Sequence, residues 1–189
     1  MGLYKHVKEL WKTKDHEFVL MQRKRMVEWR DEDSSVRIDR PTRIDRARAI
    51  GYRAKQGVLV VRQRVDRGGR TRETIRSGRR TAHNYHKKNL SKNYQQIAEE
   101  RANEKFPNCE VLNSYIVGKD AISAWYEVIL LDRAHPAIMA DKIYSQITTK
   151  GRVYRGLTSA GKKGRGLRNK GLGAEKARPS VRANHGRNN

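Results

Sequence analysis

The sequence predicts an α+β fold in which an antiparallel strand pair is flanked by helices and long basic extensions leave the core. Three observations carry this reading. Two β-rich apolar runs, 111–117 and 125–131, stand on either side of a short turn. Apolar residues at helical spacing precede and follow them. The charge is segregated: residues 51–80 and 151–189 hold 18 of the 23 excess positive charges of the 189-residue chain, while 106–150 is nearly neutral. Hydrophobic residues make up only 36% of the total, which is enough to build a core from part of the chain.

In order along the chain, Leu3, Tyr4, Val7, Leu10 and Trp11 have the i, i+3, i+4 spacing of a helix, and Glu17 to Arg30 predicts a second. Val58 to Val65 predicts a strand. Helical spacing from Leu90 through Tyr94, Ile97, Ala98 and Ala102 to Phe106 is stopped by Pro107. Val111–Val117 and Trp125–Leu131 form a hairpin around the turn residues Gly118 to Ile122. Glu127 between Tyr126 and Val128 predicts one wet face for that hairpin. His135-Pro136 introduces a helix through Ile147 with Ile138, Met139, Ile143 and Ile147 facing inward. These elements place an α+β core with N-terminal helices in residues 1–150, interrupted by a basic loop at about 66–89, and a Gly/Lys/Arg-rich extension in 151–189. The extension holds eight of the fifteen glycines, one aromatic residue and no apolar run. By itself it cannot bury enough surface to offset the entropy of ordering, which predicts disorder free in solution. The same holds less strongly for Arg67 to Lys88.

A formal charge of +23 repels itself in a compact monomer and is neutralised by a polyanion. Nucleic acid fits, with basic side chains contacting phosphates and releasing counterions. An anionic membrane surface calls for an amphipathic basic helix or a lipid anchor. Neither is evident, and the apolar runs are too short for a transmembrane span or a signal peptide. One cysteine, Cys109, excludes an internal disulfide, and the chain reads as intracellular.

The densest candidate site is the segment Arg40 to Gly57, where Arg40, Arg43, Arg46, Arg48, Arg53 and Lys55 alternate with small residues and Tyr52. Arginine matches phosphate as a planar fork and stacks on exposed bases, and Gly51 and Gly57 permit close backbone approach. Asp39 and Asp45 are read as orienting these arginines. Arg62 and Arg64 extend the basic side onto the adjoining strand. The following loop adds Arg67, Arg70, Arg72, Arg79, Arg80, Lys87 and Lys88. The extension adds Arg152, Arg155, Lys162, Lys163, Arg165, Arg168 and Lys170, acting either as a generic flexible tail or as a tail that folds on a specific RNA surface. The bland alternative for each is a solvated basic loop.

Other chemistry is disfavoured. No glycine-rich turn ends in the Lys-Ser/Thr of a nucleotide-binding loop. His83 and His86 have no cysteine or clustered carboxylate nearby to complete a zinc set. Cys109 reads as a small, partly buried thiol at a strand entry, and Trp11, Trp29 and Trp125 as packing residues. No cofactor or small-molecule substrate is expected. A DNA-compacting protein and an RNA-processing enzyme remain the competing classes. The first needs no particular mix of hairpin and arginine segment, and the second needs a convergent acid, base or nucleophile.

Several blocks in one order carry a resemblance. They are Arg40 to Gly57, Ile97-Ala-Glu-Glu-Arg-Ala102, Leu112-Asn-Ser-Tyr-Ile-Val-Gly118, Trp125-Tyr-Glu-Val-Ile-Leu130, His135-Pro-Ala-Ile138 and Arg155-Gly-Leu-Thr-Ser-Ala-Gly161. With them the chain closely resembles the archaeal and eukaryotic large-ribosomal-subunit protein family fifteen-e. Glu175 to Arg182 resembles its archaeal branch. The resemblance implies a small α+β core on an antiparallel sheet, with long basic extensions threaded among ribosomal RNA helices. It also implies a non-catalytic structural role in the cytoplasmic ribosome, beside large-subunit rRNA and neighbouring ribosomal proteins.

Overall fold

The structure, a computed structural model, describes residues 2–13, 15–71, 77–78, 87–88, 90–147 and 149–184. In chain order its elements are α1 (Leu3–Thr13), α2 (His16–Asp31), β1 (Ser35–Ile38), α3 (Ile44–Ala49), β2 (Val58–Asp66), β3 (Arg70–Thr71), β4 (Lys87–Lys88), α4 (Tyr94–Lys105), β5 (Cys109–Lys119), β6 (Ser123–Asp132), α5 (Pro136–Met139) and α6 (Ser159–Gly164). Single 3-10 turns span Ser145–Ile147 and Glu175–Ala177.

The core is a four-stranded antiparallel sheet of order β1-β2-β6-β5, and β3 pairs with β4 in a separate ribbon. The expected hairpin is present and longer than the apolar runs alone indicate. Two irregularities in β5, at Leu112 and Val117, shift its register against β6. The one at Leu112 shifts the alternation, so that Leu112 and Tyr115, three residues apart, enter the same core while pairing continues.

Successive residues of β6 alternate between two apolar cores. Trp125, Ile129 and Leu131 join Trp29, Ala47, Ile138 and Tyr144 on one side. Tyr126, Val128 and Leu130 join Ala98, Ala102 and Val153 on the other. Antiparallel sheets usually keep one wet face, whereas here helices and loops cover both. The expected wet face is therefore corrected: Glu127 is fully buried, held by polar partners brought from another part of the chain.

Three further differences have local causes. The helix expected through Ile147 ends at Met139, because the Asp141 carboxylate accepts from the backbone N–H of Ile143 (3.0 Å) and turns the chain. That turn buries Tyr144 and leaves Met139 and Ile143 exposed. Short β1 covers the edge of β2, although its sequence is too brief to announce itself. Finally, the start of the glycine-rich extension carries buried surface: Val153, Thr158 and Ala160 are enclosed against α4 and β5.

Candidate nucleic-acid interface

The arginine segment is held to the core at both ends. At its start the backbone N–H of Thr42 donates to both oxygens of Glu127, at 3.2 and 3.0 Å. The Tyr115 hydroxyl donates to the same carboxylate. Burial pushes the Glu127 carboxyl above the ordinary acidic range, opposed by the Thr42 and Tyr115 hydrogen bonds. At the far end Asp141 accepts from Lys55 Nζ at 2.9 Å and lies 3.6 Å from Arg53, and the Lys55 bond helps draw its carboxyl down to about 2. The Tyr144 hydroxyl donates to the carbonyl of Gly51 at 2.7 Å. Gly57 closes the segment at φ +81°, where an added Cβ meets Ile138 at 2.7 Å and His135 at 2.8 Å. Only glycine fits there.

Between these anchors α3 buries Ala47 and turns Arg46 and Arg48 outward. Arg40 is exposed ahead of it. Arg43 bonds Asp45 at 3.1 Å, the orienting role expected of that carboxylate, and lies over the Trp11 ring at 4.5 Å. Arg48 lies over Tyr4 at 5.6 Å and Arg53 over Tyr144 at 5.9 Å. Tyr52 is buried, with its backbone N–H on the Ala47 carbonyl.

The strand arginines are placed differently. Arg62 is buried, its guanidinium paired with Glu32 and stacked over Trp29 at 4.5 Å. Arg64 donates to the Arg30 carbonyl and Arg67 to that of Asp120. Arg70 begins β3 and is half-buried. Lys87 and Lys88 form β4, paired with Thr71 and Arg70. Arg72, Arg79, Arg80, His83 and His86 lie outside the described residues.

The extension docks through a second buried carboxylate. Glu99 on α4 accepts from the hydroxyls of Ser114 and Thr158, the latter at 2.6 Å. Burial raises the Glu99 carboxyl, and the two hydroxyls counter the shift in part. Thr158 caps α6, accepting from Gly161 N–H at 3.2 Å, and Asn93 Nδ2 donates to the Ala160 carbonyl at 3.0 Å. A Cβ on Gly161 falls 2.6 Å from the Cα of Gly156, so the glycine spacing allows two backbones to touch. Arg152 donates to the carbonyls of Val111 and Leu112 at 2.6 and 3.0 Å, satisfying acceptors on β5. Arg155 donates to the Lys150 carbonyl just ahead of the extension, and Arg165 and Arg168 bond the Gly156 carbonyl and the Ser159 hydroxyl within it. Lys162, Lys163 and Lys170 are exposed.

The anchored arginine segment, the buried carboxylates and the docked glycine turn lie between Thr42 and Gly161. A family model described as Ribosomal L15, the L15e family, matches residues 2–184. The chain belongs to this family. A curated relative, the large ribosomal subunit protein eL15 of Methanospirillum hungatei JF-1, is 55% identical over 191 residues, covering 98% of this chain and 97% of its own.

Sequence reasoning placed the basic residues of this L15e chain but not what holds them. Glu127, Thr42, Glu99 and Thr158 were not singled out as contributors, since their partners lie 59 and 85 residues apart. The available signal is a lone carboxylate inside an otherwise apolar strand, at Glu127.

Proposed function

We propose that this L15e protein is a structural constituent of the large ribosomal subunit that binds and stabilises folded rRNA without catalysing a reaction. Its place is in the cytoplasmic ribosome, beside neighbouring large-subunit proteins. The observation that carries the reading is the family match over residues 2–184, joined to an arginine segment whose carboxylate anchors leave Arg40, Arg46 and Arg48 facing outward. Phosphates neutralise such a ridge and release counterions.

The proposed contact residues fall into two groups. Arg40, Arg46, Arg48, Arg53 and Lys55 form one ridge with Arg67 and Arg70 beyond it, and Lys162, Lys163, Arg165, Arg168 and Lys170 form the other. Arg62 and Arg152 support these surfaces from within: Arg62 is buried between Glu32 and Trp29, and Arg152 is half-buried on the carbonyls of β5.

Ribosome fractionation tests this. The protein is expected to cosediment with the large subunit at low salt and leave only at high salt, with crosslinks to rRNA in 40–80 and 151–189. Recovery mainly as free protein in a low-salt lysate overturns the reading. Preference for double-stranded DNA over structured RNA in competition supports DNA compaction instead.

A further inference from the structure

Helix α1 is strongly amphipathic, and although Trp11 packs against the core, none of its residues is buried and Leu3, Tyr4 and Leu10 stay exposed, so core formation explains only part of its pattern. It packs on α3, and its two aromatic residues meet two arginines in antiparallel order: Tyr4 with Arg48, and Trp11 with Arg43. Trp11 is wedged edge-on against Phe18 at 5.0 Å, and Arg43 is tied to Asp45, so that inner pair is structural. The outer pair is open: Tyr4 is 42% exposed and Arg48 is exposed. Among the described residues no carboxylate lies within ion-pair distance of Arg48 or Arg46.

We propose that Tyr4 and Arg48 form a stacking platform for an unpaired nucleobase of the rRNA, with Tyr4 as a positioning residue delivered by α1. The proposal rests on the rRNA-binding reading above and adds α1 to the interface. The Arg48 guanidinium lies 5.6 Å from the Tyr4 centroid, a cation–π distance, and since both side chains are exposed their planar groups are open to a further π system. The surroundings select the occupant. Arg46, exposed on the same helix as Arg48, and Arg40, exposed ahead of that helix, are the cations we assign to the flanking phosphates, a charge pattern suited to single-stranded RNA and not to a protein surface of mixed sign. The stack reads a base by its π face and leaves the phosphate contacts to its neighbours.

The test uses the full chain and protein-free large-subunit rRNA, with affinity measured across a salt series and the fold of each variant checked by circular dichroism. Arg48→Lys keeps the charge and removes the plane; it and Tyr4→Leu are expected to weaken binding about tenfold while the slope of log K against log salt stays unchanged. Tyr4→Phe keeps the ring and retains wild-type affinity. Wild-type affinity for both folded Arg48→Lys and Tyr4→Leu overturns the platform while leaving rRNA binding intact. Failure of the wild-type chain to bind rRNA removes the underlying reading and this one with it. A photo-crosslinking amino acid replacing Tyr4 in assembled subunits is expected to mark RNA. Its capture of a neighbouring protein instead overturns the assignment.

Discussion

The Thr158 hydroxyl donates to the buried carboxylate of Glu99 at 2.6 Å and accepts from the N–H of Gly161. One side chain thus caps α6 and fastens the extension to α4. Thr158→Val removes the cap and leaves Glu99 short of a donor, at an expected cost of about 2 kcal/mol. Thr158→Ser keeps both bonds and stays close to wild type. Denaturant unfolding measures the loss, and limited proteolysis is expected to cut the valine variant sooner after residue 150.

Glu99 also predicts a pH dependence. Burial holds its folded carboxyl above the ordinary value of 4.5, so the native state takes up its proton before the unfolded chain does. Its contribution is fully present below 4.5 and is lost as pH rises through the raised value. Unfolding free energies of wild type and Glu99→Gln, compared from pH 7 down to 4.5, are expected to show wild type gaining on the variant as pH falls. A pH-independent difference contradicts this.

Glu127 holds the first turn of the arginine segment through Thr42. Glu127→Gln replaces one acceptor oxygen by a donor that faces the Thr42 N–H or the Tyr115 hydroxyl, with an expected loss of about 2–3 kcal/mol. Hydrogen exchange at the Thr42 amide should accelerate by more than at amides of β6.

Gly161→Ala drives a methyl group into the backbone of Gly156, with 2.6 Å available. Neither backbone can step aside without breaking the cap, so about 1–3 kcal/mol is lost. Thermal unfolding reads the change, and a melting temperature equal to wild type contradicts the close approach.

Exposed and buried arginines should separate in binding and folding assays. Arg46→Ala is expected to lower the salt slope of rRNA binding by about one phosphate contact with little change in stability. Arg62→Ala leaves Glu32 unpaired and Trp29 uncovered, and stability falls by about 1–3 kcal/mol.

Where periodicity reports burial, the fold was legible in the sequence. The β-rich apolar run Trp125 to Leu131 and the Pro107 stop after α4 both announce their elements. What could not be read depends on contacts far apart in the chain. A carboxylate inside an apolar strand looks like a solvent face until Thr42 arrives from 85 residues away. The Arg155–Gly161 block looks like flexible tail because its buried surface belongs to α4. The basic residues were legible as a set, but Arg40 and Arg62 carry the same side chain to opposite places, and only packing distinguishes them.

The stitches at Thr42 and Lys55 have a consequence for how a subunit is put together. Because the protein's own carboxylates hold both ends of the cationic ridge, its contour is cast before any nucleotide is met. On the proposed rRNA-binding reading the ridge is then a surface already shaped when RNA arrives, and the larger share of the conformational adjustment falls to the RNA.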